Sequence, residues 1–311
     1  MNVHSDKPIS PFHKGEQKAQ TRAGSRDRTE IIGQRAIRSF MPDQHRAFFE
    51  QIPFVVLGSV DQDSWPWASI IAGGSGFMVS PSQTSLEVNA QPLRDDPLGG
   101  SLANGAPIGL LGIELGTRRR NRMNAKVREL DTVGFKLDVV QSFGNCPKYI
   151  QNRDVTFVRE PSSFVQQRSG KFDSLDKTAR AFIEQSDTFF VASSATSDGV
   201  DVSHRGGKAG FVKVEGNRLT IPDYAGNNFF NTIGNFLEFP KAGLLFPDFE
   251  TGDVLMLTGR VEVLWQDHSS VQSIEGADRA WRFTLDHGIR IYDALPFRAE
   301  LKEYSPYSLN P

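Results

Sequence analysis

Apolar and polar positions alternate over short runs separated by glycine-rich turns. After a helix from about residue 42 to 51, with proline at an early turn position, residues 54–60, 67–71, 77–79, 108–115 and 134–143 read as strands. The second half repeats this scheme: a helix over 174–185, then strands at 189–193, 200–204, 211–215 and 219–221. A loop and helix over 223–236 follow, then strands at 242–246 and 254–265 and a closing strand around 281–291. Helices of ten or more residues between successive strands, which a parallel doubly wound sheet needs, are missing. Short strands and frequent turns predict a mainly β protein with flanking helices, organised as small antiparallel barrels.

The two halves also share residues at a fixed offset. AFFEQ begins at Ala47 and AFIEQ at Ala181, a displacement of 134 positions (181 − 47). The same displacement pairs Ser59 with Ser193, Ser69 with Ser203, Gly73 with Gly207, Gly109 with Gly243, and Val127 with Val261. The chain therefore reads as a polar extension over 1–30, one module over 31–165 and a second over 166–311. Two such modules are expected to pair within the chain as a pseudo-dimer, with room for a homodimer as well. The seam between them is the natural place for a ligand.

Composition narrows the function classes. Of 311 residues, 38% are hydrophobic and 23% charged, which suits a globular chain with two cores. No apolar run reaches the length of a membrane span, and the N-terminus has no apolar segment of the secretory kind. One cysteine, Cys146, excludes an internal disulfide framework, so a cytoplasmic location is expected. A net charge of −2 argues against a nucleic-acid partner.

Candidate chemistry concentrates in the second module. In DVSHRGGKAGFV (201–212), strand alternation puts Ser203 and Arg205 on one face and Val202 and His204 on the other. Arg205 and Lys208 suit an oxyanion. The first module carries Ile70, Ile71 and Gly74 at the positions of His204, Arg205 and Lys208, while the glycines persist. The turn therefore does not need the polar set. In IPDYAGNNFFNTIGNF (221–236), Asp223 suits a turn, Asn227 and Asn228 supply amides, and Asn231 and Asn235 share a helix face beside Thr232. Amides at a helix start make a seat for phosphate. Thr117 to Arg128 holds a second basic cluster, including Arg118, Arg119, Arg120, Arg122 and Lys126. It reads as another phosphate seat, an inter-module salt-bridge strip, or a solvated edge. Cys146 reads more readily as a small packing residue than as a nucleophile, and Lys148 and Tyr149 as contacts to a flat ring. The six histidines show no metal-ligand spacing.

These motifs, with AGLLFPDFETGD and LTGRVEV, resemble the flavin-binding split-barrel family of pyridoxamine 5'-phosphate oxidase-like proteins. GLLGIELGTRRRNRMNAKV and QSFGNCPKYIQ resemble the companion half of a two-module branch. The resemblance implies two tandem split β-barrels related by a pseudo-two-fold axis, with FMN between them. It implies a cofactor site drawn from Ser203, His204, Arg205, Lys208, Asp223, Asn227, Asn228, Asn231, Thr232 and Asn235. The implied activity is an FMN-dependent oxidoreductase serving a small-molecule substrate and an external electron donor. The alternatives are a non-enzymatic binder of flavin, deazaflavin or haem, with His204 or His287 as an axial ligand, and a structural module with a degenerate site.

Overall fold

In the strands one face of alternating residues is buried and the other meets solvent or a second layer, so each must find a sheet to cover it. The computed structural model describes residues 9–161, 167–195, 199–272 and 274–308. The expected module boundary near residue 165 lies outside them. The chain begins with three helices, α1 (Lys14–Arg22), α2 (Arg26–Ala36) and α3 (Asp43–Gln51). Strands β1 (Phe54–Val60), β2 (Pro66–Ala72), β3 (Met78–Ser82) and β4 (Ser85–Val88) follow, then a helical turn α4 (Leu98–Ser101). Next come β5 (Pro107–Glu114), β6 (Arg119–Leu130), β7 (Phe135–Gly144) and β8 (Asn152–Phe157). The second half holds β9 (Ser169–Phe172), α5 (Lys177–Gln185), β10 (Thr188–Ala195), β11 (Gly199–Gly206), β12 (Lys213–Glu215) and β13 (Arg218–Tyr224). It ends with α6 (Asn231–Glu238), β14 (Lys241–Pro247), β15 (Val254–Leu264), α7 (Ser269–Gln272), β16 (Ala277–Ile291) and β17 (Phe297–Glu303).

Seven strands form one antiparallel sheet in the order β2-β1-β5-β6-β7-β4-β3. The second sheet runs β11-β10-β14-β15-β16-β13-β12, with β9 added against β16. The two orders match strand for strand, and so does much of the register. Val56 faces Leu111 as Phe190 faces Leu245, and Phe54 faces Ala72 as Thr188 faces Gly206. Each pair is displaced by 134 from its counterpart.

The expected split barrels are not found. A barrel requires its first and last strands to pair, whereas neither β2 with β3 nor β11 with β12 does so. The fold is a mixed α/β arrangement with two large antiparallel sheets, neither closed. β12 has only three residues, and short edge strands are a common way to end a sheet without inviting further pairing. Two further expectations change. The basic segment after Leu115 is β6, an interior strand between β5 and β7 and so no solvated edge. The strand expected to close the second sheet is β16, flanked by β15 and β13.

Three large buried clusters explain the layering. One lies within the first half, one joins Ala19 of α1 to the second half, and a third is shared, joining Phe54, Val56, Trp67 and Leu111 to Phe190, Val202, Leu245 and Met256. Backbones touch at this seam. A Cβ on Gly109 would come within 2.5 Å of the Val200 carbonyl oxygen. A Cβ on Gly243 would collide with that of Pro66. These are reciprocal contacts at positions 134 apart (243 − 109 and 200 − 66). The polar N-terminal segment is helical from Lys14 onward and lies against the second half. α1 packs on α6, burying Glu16, Ala19 and Gln20. Among the described residues no helix is long and apolar enough to cross a membrane.

Candidate functional site

A cleft enclosing about 120 Å³ lies where β6 of the first sheet meets β11, the 224–230 loop and the start of α6. β11 carries its side chains in the expected alternation. His204 turns to the first sheet, where its Nδ1 lies 3.1 Å from Arg120 Nη1. Ser203 and Arg205 turn the other way. Ser203 Oγ accepts from Thr232 Oγ1 at 3.0 Å, and Arg205 Nη1 lies 3.4 Å from Asp223 Oδ1. Asp223 also accepts from Arg279 Nε at 3.0 Å.

Behind the cleft lies a buried polar network. Asp201 accepts from Arg122 at 2.8 Å, Asn124 at 3.0 Å and Asn235 at 2.8 Å. Arg122 also donates to Asn231 Oδ1 at 2.8 Å, and the Asn231 amide donates to Glu16 of the N-terminal helix. His13 Nε2 reaches Asn235 Oδ1 at 2.8 Å. Asn231 and Asn235 do share a helix face, as their spacing predicts. Asn235 nevertheless spends its amide on Ser193, Asp201 and His13 and does not line the cleft. Lys208 lies over the Tyr304 ring at 6.0 Å and is also outside the lining. Ser203, His204, Arg205, Asp223, Asn227, Asn228, Asn231 and Thr232 all border the cleft.

The loop before α6 is shaped by backbone that side chains rarely adopt: φ is +61° at Asn228 and +62° at Phe230. Phe229 N–H donates to Asn227 Oδ1, closing a local turn. No side chain caps α6, and its first residues, Asn231, Thr232 and Ile233, border the cleft. Uncapped helix N–H groups and the positive dipole end favour an anion. At the mouth, Tyr149 stacks on Tyr224 with centroids 5.5 Å apart and planes 27° apart. The Tyr149 hydroxyl donates to Ala225 O at 3.1 Å, which ties this aromatic pair to the loop.

Charge is unbalanced here. Among the described residues four arginines line the cleft: Arg120, Arg122, Arg205 and Arg279. The carboxylates paired with them are Asp201, Asp223 and the partly exposed Asp278, which leaves a surplus of one positive charge (4 − 3), at Arg120. Burial pushes Arg120 down to about 10, an effect partly offset by the neighbouring Cys146. Burial also lowers Arg122, against the pull of Asp201. His204 is held well below the usual histidine range by burial and by Arg120 and Arg205. Glu16 is raised to about 8 by burial and by Asp201. Nε of Arg120, Arg122 and Arg205 and Nε2 of His204 are buried without a partner among the described residues. Unmatched buried donors and surplus positive charge are costly unless an anion completes them.

The basic cluster of the first half thus divides. Arg122 is an inter-sheet salt bridge and Arg120 a cleft residue, while Arg118 binds Glu303 and Arg128 pairs with exposed Asp138. Alternation places Arg120, Arg122 and Asn124 on one face of β6, but it places Lys126 and Arg128 there too, and the register shifts beyond Asn124 that separate them are not visible in the sequence. Arg279, Asp201 and Glu16 carried no such signal. His287, the other histidine considered for haem, packs between Trp65, Trp67 and Asp286, away from the cleft.

Residues 175–293, less than half of the chain, match the pyridoxamine 5'-phosphate oxidase family model. No curated protein matches. Among solved structures, HupZ of Group A Streptococcus is 9% identical, with a TM-score of 0.31, over 42% of this chain and 98% of its own. An FAD-binding protein from Mesorhizobium loti is 12% identical, with a TM-score of 0.29, over 41% and 99% of the two chains. A Clostridium acetobutylicum protein related to general stress protein 26 is 17% identical, with a TM-score of 0.26, over 40% and 92%. The chain bears a remote resemblance to a pyridoxamine 5'-phosphate oxidase-like fold family, and likeness at this level carries no inference about chemistry.

Proposed function

We propose that the cleft seats the phosphate of FMN and that the chain is a flavoprotein oxidoreductase. The observation that carries this reading is the convergence of four arginines, against three carboxylates, on one cleft containing unpartnered buried N–H groups. The family match supports it, because Ser203 through Arg279, the whole second-half contribution, falls within residues 175–293. The residues suit a phosphate dianion. Arg205 and Arg279 would hold it beside the Asn227–Asn228 loop and the uncapped start of α6. The enclosed volume is too small for the entire cofactor, so the ring would extend into the open mouth, where the Tyr149–Tyr224 pair offers a flat apolar face.

Bound FMN supplies hydride or electron transfer. The chain's own contribution is to position the ring, exclude water from its phosphate end and present donors to it. A small-molecule substrate and an external electron donor would reach the ring through the mouth. Calorimetric titration of the chain with FMN and with riboflavin tests the reading. FMN should bind at least roughly tenfold more tightly than riboflavin, since the surplus charge acts on the phosphate alone. Equal affinities, or no binding of either, would refute it. A haem spectrum in protein purified without added cofactor would favour the binder alternative.

A further inference from the structure

The position of the proton on His204 follows from its neighbour. Arg120 Nη1 lies 3.1 Å from His204 Nδ1. A guanidinium donates and has no lone pair to accept with, so Nδ1 must be the acceptor. A neutral ring then carries its hydrogen on Nε2. The ring is kept neutral by burial and by the two arginines beside it, Arg120 and Arg205. The side chain is 5% exposed, and Nε2 is buried with no partner among the described residues. His204 borders the cleft. One unsatisfied N–H is thus fixed in orientation by an arginine behind it and by the strand that carries it.

What this N–H meets is constrained by the two faces of β11. Arg205, which pairs with Asp223 beside Arg279, lies on the opposite face from His204. The anion seat therefore already has its cations. On its own face His204 meets the edge of Phe190, with centroids 5.7 Å apart, and Leu111 borders the cleft nearby. Apart from Arg120, whose Nη1 is committed to Nδ1, these surroundings are apolar and suit a ring better than a phosphate. We infer that His204 Nε2–H is a specificity contact donating to an uncharged carbonyl oxygen on the ring of the bound ligand. This inference rests on the flavin reading. It also makes His204 a fixed donor rather than a proton-transfer group, because Arg120 blocks the second ring nitrogen from taking a proton.

The test uses the full chain and three probes: FMN, riboflavin and inorganic phosphate. Long-range ¹H–¹⁵N correlation spectra of histidine-labelled protein, assigned with His204→Gln, should show the Nε2–H tautomer in the free chain. On adding FMN the Nε2 signal should shift without a change of tautomer. An Nδ1–H or doubly protonated ring would overturn the inference without any ligand. In binding, His204→Leu should weaken FMN and riboflavin roughly tenfold or more while leaving inorganic phosphate unchanged. His204→Gln, which keeps an N–H donor, should restore most of that loss and so separates the contact from a packing defect. Losses shared equally by inorganic phosphate, or undiminished FMN binding in His204→Leu, would overturn the role of His204 alone. Failure of the unsubstituted chain to bind either flavin would instead overturn the reading beneath it.

Discussion

Glu16→Gln should reverse the order of stability between low and high pH. Glu16 is 3% exposed on α1, held against α6 where a Cβ on Gly15 would collide with the Gly234 carbonyl oxygen. Its carboxyl accepts from His13 N–H at 2.9 Å and from the Asn231 amide. Burial and the nearby Asp201 raise its pKa from 4.5 to about 8. The folded chain therefore holds a proton that the unfolded chain releases between those values. Stability contributed by the neutral carboxyl is present below the unfolded value and lost as pH rises through the window, levelling off above about 8. The shift spans about 3.5 units (8 − 4.5). At about 1.4 kcal/mol per unit its ceiling is roughly 5 kcal/mol. Glutamine carries no charge and keeps an oxygen for the Asn231 amide. It sets its own N–H group against His13 N–H, costing about 1 kcal/mol. The variant should thus be about 1 kcal/mol less stable near pH 4, about equal near pH 5, and roughly 3 to 4 kcal/mol more stable near pH 8. Urea unfolding of both proteins at pH 4 and pH 8 measures this. Asp96, whose carboxyl burial raises to about 6, is common to both and cancels in the difference. A difference that does not vary with pH would refute the reasoning.

Two further outcomes follow from the same network. Asp201→Asn removes the only anion paired with buried Arg122 among the described residues and should cost roughly 3–5 kcal/mol near pH 5, where Glu16 is protonated. Near pH 8 part of that loss should be recovered as Glu16 ionises, and an equal loss at both pH values would contradict the coupling. Gly234→Val places a branched side chain where even a Cβ would lie 2.5 Å from Glu16 N and 2.6 Å from its Cα. Limited proteolysis should then cleave the 14–36 segment well before the sheets, and protection equal to that of the unsubstituted chain would show that α1 does not depend on this contact.

Much of the strand content was legible because its cause is local. β1, β5 and β14 are apolar runs bounded by glycine or proline, and α5 begins at an Asp176 cap that accepts from Ala179 N–H. The repeat foretold the matching strand orders. Closure into barrels was not legible, because it depends on whether end strands meet, and nothing in β3 or β12 marks their reach. β6 was hidden by the charges on its inward face, Arg120 and Arg122, which are buried against the other half rather than against water. α1 was read as polar extension for a similar reason: its buried face carries Glu16 and Gln20, satisfied by Asn231 and by the Phe229 carbonyl. At the cleft, the sequence pointed to β11 and the asparagine loop as bordering residues but not to Arg279. It reaches the cleft only through the pairing of β16 with β13, a contact made across 56 residues.

A crystal structure of the chain with FMN tests the central claim most directly. One FMN is expected in the cleft, its phosphate within hydrogen-bonding distance of Arg205 and Arg279, and its ring on the side of Tyr149 and His204. FMN bound elsewhere, or a phosphate turned away from both arginines, would contradict it.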